Sequence, residues 1–231
     1  MKTIGLLGGM SWESTLTYYR LLNQEVKARL GGLHSARLVM FSVDFAPIEA
    51  LMGKEDGWDK IAQTLTAHCR ALQAGGADFL VICTNTMHKV APEIENALGI
   101  PVLHIADATA RAVKQAGFAK VGLLGTSFTM EEDFYRGRLS ERHGLEVLIP
   151  PAGDRDLVNK VIFDELCLGM VRESSRQEYL RIITGLKERG AQCVILGCTE
   201  IGLLIEQEHS PLRLFDTTQL HAMAAVDMAL S

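Results

Sequence analysis

Long apolar runs, an excess of basic charge, paired cysteine motifs and linker-like stretches are all missing from this 231-residue chain, and each absence removes a class of function. No apolar run approaches the roughly 18 residues that cross a bilayer. The start, MKTIGLLGGMSWES, lacks the longer apolar core and small-residue cleavage site of a secretory leader. A cytoplasmic location with no membrane partner is expected. Acidic residues outnumber basic ones by 28 to 23, and Lys and Arg are scattered singly. No face therefore tracks a phosphate backbone, and nucleic acid is not an expected partner. The five cysteines (Cys69, Cys83, Cys167, Cys193, Cys198) form an odd set without CxxC spacing, which argues against a disulfide framework or a zinc site. In a reducing compartment each is core filler or a reactive thiol.

What is present is α/β grammar. Short apolar runs at 2–8, 36–43, 78–83 and 101–105 read as strands, with helices at 12–30, 59–74, 86–98 and 107–116. The runs are continuous rather than alternating, as in a parallel sheet covered by helices on both faces. The second half repeats this, with strands at 119–125, 145–149, 192–197 and 211–215 and helices at 130–143, 155–168, 174–189, 199–207 and 217–230. Ile4-Gly-Leu-Leu-Gly8 recurs as Val121-Gly-Leu-Leu-Gly125, and the stretch 76–84 lines up with 190–198. Pro101 to Thr109 likewise matches Pro211 to Thr218. A GLLG motif alone is cheap in any α/β protein, but three matches in the same order indicate two copies of one unit. Each copy is then a three-layer α/β lobe of about 115 residues with a four-stranded parallel sheet, 1–117 and 118–231, the terminal helices able to cross between lobes.

Ligands of open parallel sheets gather at the carboxyl ends of the strands. The duplicated third strand ends at Thr84 in one copy and Cys198 in the other, and two copies facing each other about a pseudo-dyad would point both into one cleft. Cys198 opens the segment Thr199-Glu-Ile-Gly-Leu-Leu, where a helix dipole would favour the thiolate and bring its pKa towards neutrality. A buried structural thiol is the commoner outcome for a cysteine, and Cys193, Cys69 and Cys167 fit it. Cys198 differs by its place in the repeat. In Cys83-Thr84-Asn85-Thr86-Met87-His88, Thr84 or Asn85 reads as an N-cap, and the same N–H groups and hydroxyls would hold a carboxylate. His88 reads first as a solvated helix histidine and second as a wall residue. The loop Gly5-Leu-Leu-Gly8-Gly9-Met10-Ser11-Trp12 has neither GxGxxG spacing nor a P-loop lysine, although a glycine turn feeding a helix is still an anion site. Its repeat partner, from Gly125 to Thr129, has the same potential, and Trp12 either covers the cleft or packs on the sheet.

The pairing of C-T-N-T-M-H with G-C-T-E-I-G, the opening G-L-L-G-G-M-S-W-E-S-T and the duplicated halves resemble the aspartate/glutamate racemase family over essentially the whole chain. The resemblance implies two α/β lobes with an active-site cleft between them, a homodimer, a small amino-acid substrate, and racemisation without pyridoxal phosphate or metal. Typical members place one cysteine on each face of the substrate α-carbon. Here Cys198 matches the second-lobe position, while Thr84 stands where the first-lobe cysteine is usual. A hydroxyl donates a proton but makes a poor general base. An asymmetric two-base enzyme is expected, with Cys198 deprotonating and Thr84 the weaker partner, and with unequal isotope exchange from the two enantiomers. Cys83, one residue early, would point the opposite way and is retained only as a substitute base.

By the same resemblance, Met10, Ser11, Asn85, Thr86, Thr126, Thr129, Thr199 and Glu200 meet the α-carboxylate and amino group. Acid-specific members carry a cation in two further segments. The matching stretches here, 43–49 and 162–167, contain none, although Lys160 is nearby, so both readings stand, a range of aspartate and glutamate or a broader or neutral one. Other readings share the layout: a cysteine-dependent decarboxylase or cis–trans isomerase of the same superfamily, or a two-lobed small-molecule binding protein. Exchange of the α-hydrogen with solvent separates racemisation from all three.

Overall fold

The computed structural model describes residues 1–231. In chain order it contains β1 (Ile4–Gly8), α1 (Trp12–Leu30), β2 (Leu38–Ser42), α2 (Phe45–Glu49), α3 (Gly57–Ala74), β3 (Phe79–Ile82) and α4 (Ala91–Ala97). There follow α5 (Ile105–Gln115), β4 (Lys120–Gly125), α6 (Ser127–Glu131), β5 (Glu146–Leu148), α7 (Ala152–Asp164), α8 (Glu173–Glu188), β6 (Cys193–Gly197), α9 (Ile201–Leu204), β7 (Arg213–Asp216) and α10 (Thr217–Leu230). No helix is long and apolar enough to cross a membrane.

Two compact units form, one of Met1–His104 with His221–Ser231 and one of Ile105–Leu220. The first has a parallel sheet of order β2-β1-β3, with Ile4 opposite both Leu38 and Phe79. Alternation along the strands divides its core. Ile4, Leu6, Phe79, Val81 and Cys83 pack with Tyr18, Leu22 and Val26 of α1 and Ala222, Ala225, Val226 and Ala229 of α10. Leu7, Leu80 and Ile82 point the other way, and the buried face of α3 (Ile61, Leu65, Cys69, Leu72) lies against the sheet. Helix α1 begins where Ser11 caps it, accepting a hydrogen bond from the Ser14 N–H at 3.3 Å, and stops at Gly31 with φ +76°.

The sheet of this unit is narrower than four strands. Of the expected strand at 101–105, a single parallel rung remains, Val102 beside Leu80. The Pro101 carbonyl accepts from the Leu80 N–H and the Leu103 N–H donates to the Leu80 carbonyl, both at 2.9 Å. Proline has no N–H for a longer ladder. The chain then turns helical at Ile105, whose side chain joins the second unit's core.

The second unit has the order β5-β4-β6-β7, all parallel, with Val121 opposite Val147 and Cys193, and Cys193 opposite Arg213. Its core gathers Ile105, Ala106, Ala110 and Val113 of α5 with Val158 and Ile162 of α7 and Tyr179, Ile183 and Leu186 of α8. Asp107 on α5 receives both Arg138 Nε and Nη2 at 2.7 Å and lies 2.9 Å from His143 Nε2, which ties that helix to the π-helical turn at 138–142. In both sheets the first strand of the unit lies between the second and the third. Connections diverge at that point, so the carboxyl ends of β1 and β3, and of β4 and β6, are the crevices where such sheets bind ligands.

Candidate active site

Thr84 and Cys198 occupy one position of the repeat. Ile82 pairs with Leu7 and Leu196 pairs with Leu124, equivalent residues of the two GLLG strands. Thr84 is two residues beyond Ile82, and Cys198 two beyond Leu196.

In the first unit the β1–α1 loop folds around Thr15. Its hydroxyl donates to the Ser11 carbonyl at 2.9 Å and accepts from the Gly9 N–H at 2.8 Å. Gly9 is required twice over. Its φ is +89°, and a Cβ there would stand 2.2 Å from the Val43 carbonyl oxygen. Met10 is buried, Ser11 half-buried, and Trp12 is 63% exposed, so it does not pack on the sheet.

After β3, Thr84 is half-buried between the buried Cys83 and Asn85. Thr86 begins a 3-10 turn, Thr86–Val90, that precedes α4, in place of one helix over 86–98. Of the two N-cap candidates, Asn85 does not serve: it is already in helical backbone geometry and its side chain does not cap the turn. Cys83 packs in the hydrophobic core among Ile4, Val81 and the α1 and α10 side chains, and burial pushes its thiol up; that core position, not the raised thiol, sets it apart from Cys198. His88 is not solvated but buried, with Nδ1 2.8 Å from the Thr84 carbonyl oxygen. Two further buried histidines surround it. The ring centroids of His104 and His221 lie 4.5 and 5.7 Å from that of His88. His221 Nδ1 is 2.8 Å from the Tyr18 hydroxyl and its Nε2 is 2.7 Å from the Leu103 carbonyl. The composition of each segment hid this cluster, since His104 and His221 sit singly in apolar runs, PVLHI and QLHAMAAV.

In the second unit Thr126 caps α6, accepting from the Thr129 N–H at 3.3 Å, and the two hydroxyls are 3.2 Å apart. Both threonines are buried, Thr129 completely. Gly125 and Gly197 leave room for it: a Cβ on either would meet the Thr129 methyl at 3.1 Å. Asn159 of α7 accepts from the Ser127 N–H at 2.9 Å and anchors the same turn.

Beyond β6, Cys198 is half-buried, Thr199 half-buried and Glu200 buried. One carboxylate oxygen, Glu200 Oε2, accepts from Cys198 Sγ at 3.0 Å and from Thr199 Oγ1 at 2.5 Å. This corrects the expectation of a thiol with a lowered pKa. Burial, then the Glu200 carboxylate and Cys167, push the Cys198 thiol well above its ordinary range, against a smaller opposite pull from the Glu200 backbone. The helix that was to supply a dipole is only the four residues of α9. Cys69 and Cys193, wholly buried, are pushed up to about 12 by burial. The Cys198 thiol thus donates to a carboxylate in a setting that disfavours the thiolate.

A repeated α/β unit with one parallel sheet in each copy is a fold shared with racemases, which are isomerases. The profile of the Asp/Glu/Hydantoin racemase family matches residues 7–225, and the chain belongs to that family. It is similar to the broad specificity amino-acid racemase RacX of Bacillus subtilis, 21% identical over 99% of this chain and 98% of that one. Among solved structures it is similar to a protein of Yersinia pestis described as a candidate Asp/Glu racemase, 55% identical over the whole of both chains with a TM-score of 0.94. An aspartate racemase homologue from Pyrococcus horikoshii is 31% identical, again over both whole chains, with a TM-score of 0.85.

Proposed function

We propose that the protein interconverts L- and D-amino acids without a cofactor, Cys198 and Thr84 exchanging protons with opposite faces of the α-carbon. The observation that carries this is their equivalence in strand register, with chemically different proton groups at one position. Cys198 starts as a thiol bonded to Glu200. A substrate ammonium bound on the thiol side of the pair, nearer Cys198 Sγ than the carboxylate, lowers the thiol's pKa by Coulomb attraction, and the thiol proton passes to Glu200 Oε2. The thiolate then removes the α-proton and becomes a thiol again. The Thr84 hydroxyl delivers its proton to the other face and is restored from solvent, while Glu200 returns its proton to solvent. In the reverse sense Thr84 is the weaker base, so the two enantiomers exchange at unequal rates.

Met10, Ser11, Asn85 and Thr86 on the first unit, with Thr126, Thr129, Thr199 and Glu200 on the second, are the proposed substrate-binding set. The buried Thr129 acts by shaping the Thr126 turn. We propose a range wider than the acidic amino acids. The segment after β2 holds Asp44, which caps α2, and Glu49, and the end of α7 holds Asp164 and Glu165, without a cation in either stretch. The name of RacX points the same way. A homodimer is proposed as well, since Trp12, Leu16 and Tyr19 of α1 and Met40 of the edge strand β2 are exposed around one groove of about 330 Å³. The test of activity is proton NMR in deuterated buffer with both enantiomers of an amino-acid panel. Loss of the α-proton signal is expected for the parent and not for Cys198→Ala. A parent that exchanges no amino acid overturns the activity, and a fully active Cys198→Ala overturns the residue assignment.

A further inference from the structure

Thr84 is the weaker of the two proposed proton groups, and the structure invests in holding it still. Its Cβ direction is set by the two peptide planes that flank it. The carbonyl of the first plane, Cys83 O, accepts from the buried Ser14 hydroxyl at 3.3 Å, and that of the second, Thr84 O, lies 2.8 Å from His88 Nδ1. A carbonyl only accepts, so His88 Nδ1 carries the proton. The His88 ring in turn lies against two imidazoles. One of these, His221, is locked in a single orientation, since its Nε2 must donate to the Leu103 carbonyl and its Nδ1 must accept from Tyr18. The second unit has no counterpart: four residues beyond Cys198, where His88 would repeat, stands Gly202.

We propose that His88 is a positioning residue for the reaction, its Nδ1–H fixing the Thr84 carbonyl so that the Thr84 hydroxyl stays aimed at the substrate. This rests on the racemase reading. A substrate carbanion formed by Cys198 has two fates. Protonation by a well-placed Thr84 inverts it, whereas return of a solvent-exchanged proton from Cys198 leaves the configuration unchanged with deuterium incorporated. A loosened Thr84 shifts the balance to the second fate and leaves binding alone.

The experiment follows one enantiomer in deuterated buffer and reads deuterium incorporated per molecule inverted, with kcat and KM for inversion. In His88→Asn the amide nitrogen falls near the place of Nδ1 and keeps the donor. In His88→Gln it falls near Nε2 and loses it. The Gln variant is expected to raise the exchange-to-inversion ratio and lower kcat about tenfold, the size of one net hydrogen bond, with KM little changed, while the Asn variant stays near the parent. Equal behaviour of the two amides, whether both parental or both impaired, overturns the proposal, as does a loss confined to KM. If neither amide variant folds, Ser14→Ala reads the same ratio through the other carbonyl: a raised ratio supports the proposal and a parental one overturns it. Failure of the racemase reading is recognised separately, as a parent that exchanges no substrate.

Discussion

Acid should weaken the first unit through one side chain. His221 is completely buried with both ring nitrogens bonded, and burial, reinforced by His88, lowers its pKa from 6.5 to about 3. In the unfolded chain it protonates near pH 6.5. Because the folded pKa is the lower one, the unfolded state binds the extra proton, and stability present above pH 6.5 is lost as pH falls towards 3. At 1.36 kcal/mol per unit the loss is about 2 kcal/mol at pH 5 and about 4 kcal/mol at pH 3. That is a large share of the roughly 5–15 kcal/mol that holds a typical domain. Replacement by glutamine removes the titration. Whatever His221→Gln costs at pH 7.5, its stability relative to the parent should improve by about 2 kcal/mol between pH 7.5 and 5. Urea unfolding followed by tryptophan fluorescence measures this where it matters, since Trp12 and Trp58 both lie in the unit that contains His221. A parent-to-variant difference independent of pH would refute the reasoning, because it would mean that His221 titrates alike in both states.

Two further substitutions bear on the site. Glu200→Gln removes a carboxylate that raises the Cys198 pKa, so iodoacetamide should alkylate the thiol at lower pH than in the parent. Racemisation should nevertheless slow by about 100-fold, the scale of a lost proton acceptor; a variant at the parental rate removes Glu200 from the proton path. Gly9→Ala forces a side chain into a φ of +89° and against the Val43 carbonyl. It should cost about 3 kcal/mol or more, visible as a lower urea midpoint, and an unchanged midpoint would show that the β1–α1 loop has room to move.

Strand positions were readable because buried parallel strands leave an uninterrupted apolar signature. The runs at 2–8, 78–83 and 192–197 contain β1, β3 and β6 with one or two residues trimmed. The long helices α1, α3, α8 and α10 were readable as well, falling at 12–30, 59–74, 174–189 and 217–230. Elements decided by tertiary contacts were not. Residues 101–105 look like a strand, but the ladder stops at one rung and Ile105 and Ala106 open α5, fully buried in the second unit's core. The expected helix over 130–143 breaks into α6 and the turn at 138–142, where Arg138 is drawn to Asp107. The repeat located Thr84 and Cys198, since register is a property of sequence. The ionisation of Cys198 escaped it, because helical periodicity overstated α9 and nothing in the chain order shows that Glu200 folds back onto the thiol. The histidine cluster escaped for a related reason. Burial of His88, His104 and His221 is created by the meeting of α1, α10 and the segments after β3, and none of these alone marks a histidine as buried.

The two-base assignment is tested most directly by Thr84→Ala, offered one enantiomer at a time in deuterated buffer. With Cys198 intact and no donor on the other face, one enantiomer should still exchange its α-proton for deuterium with retention of configuration, while inversion falls to the background. Inversion at the parental rate in Thr84→Ala would contradict it.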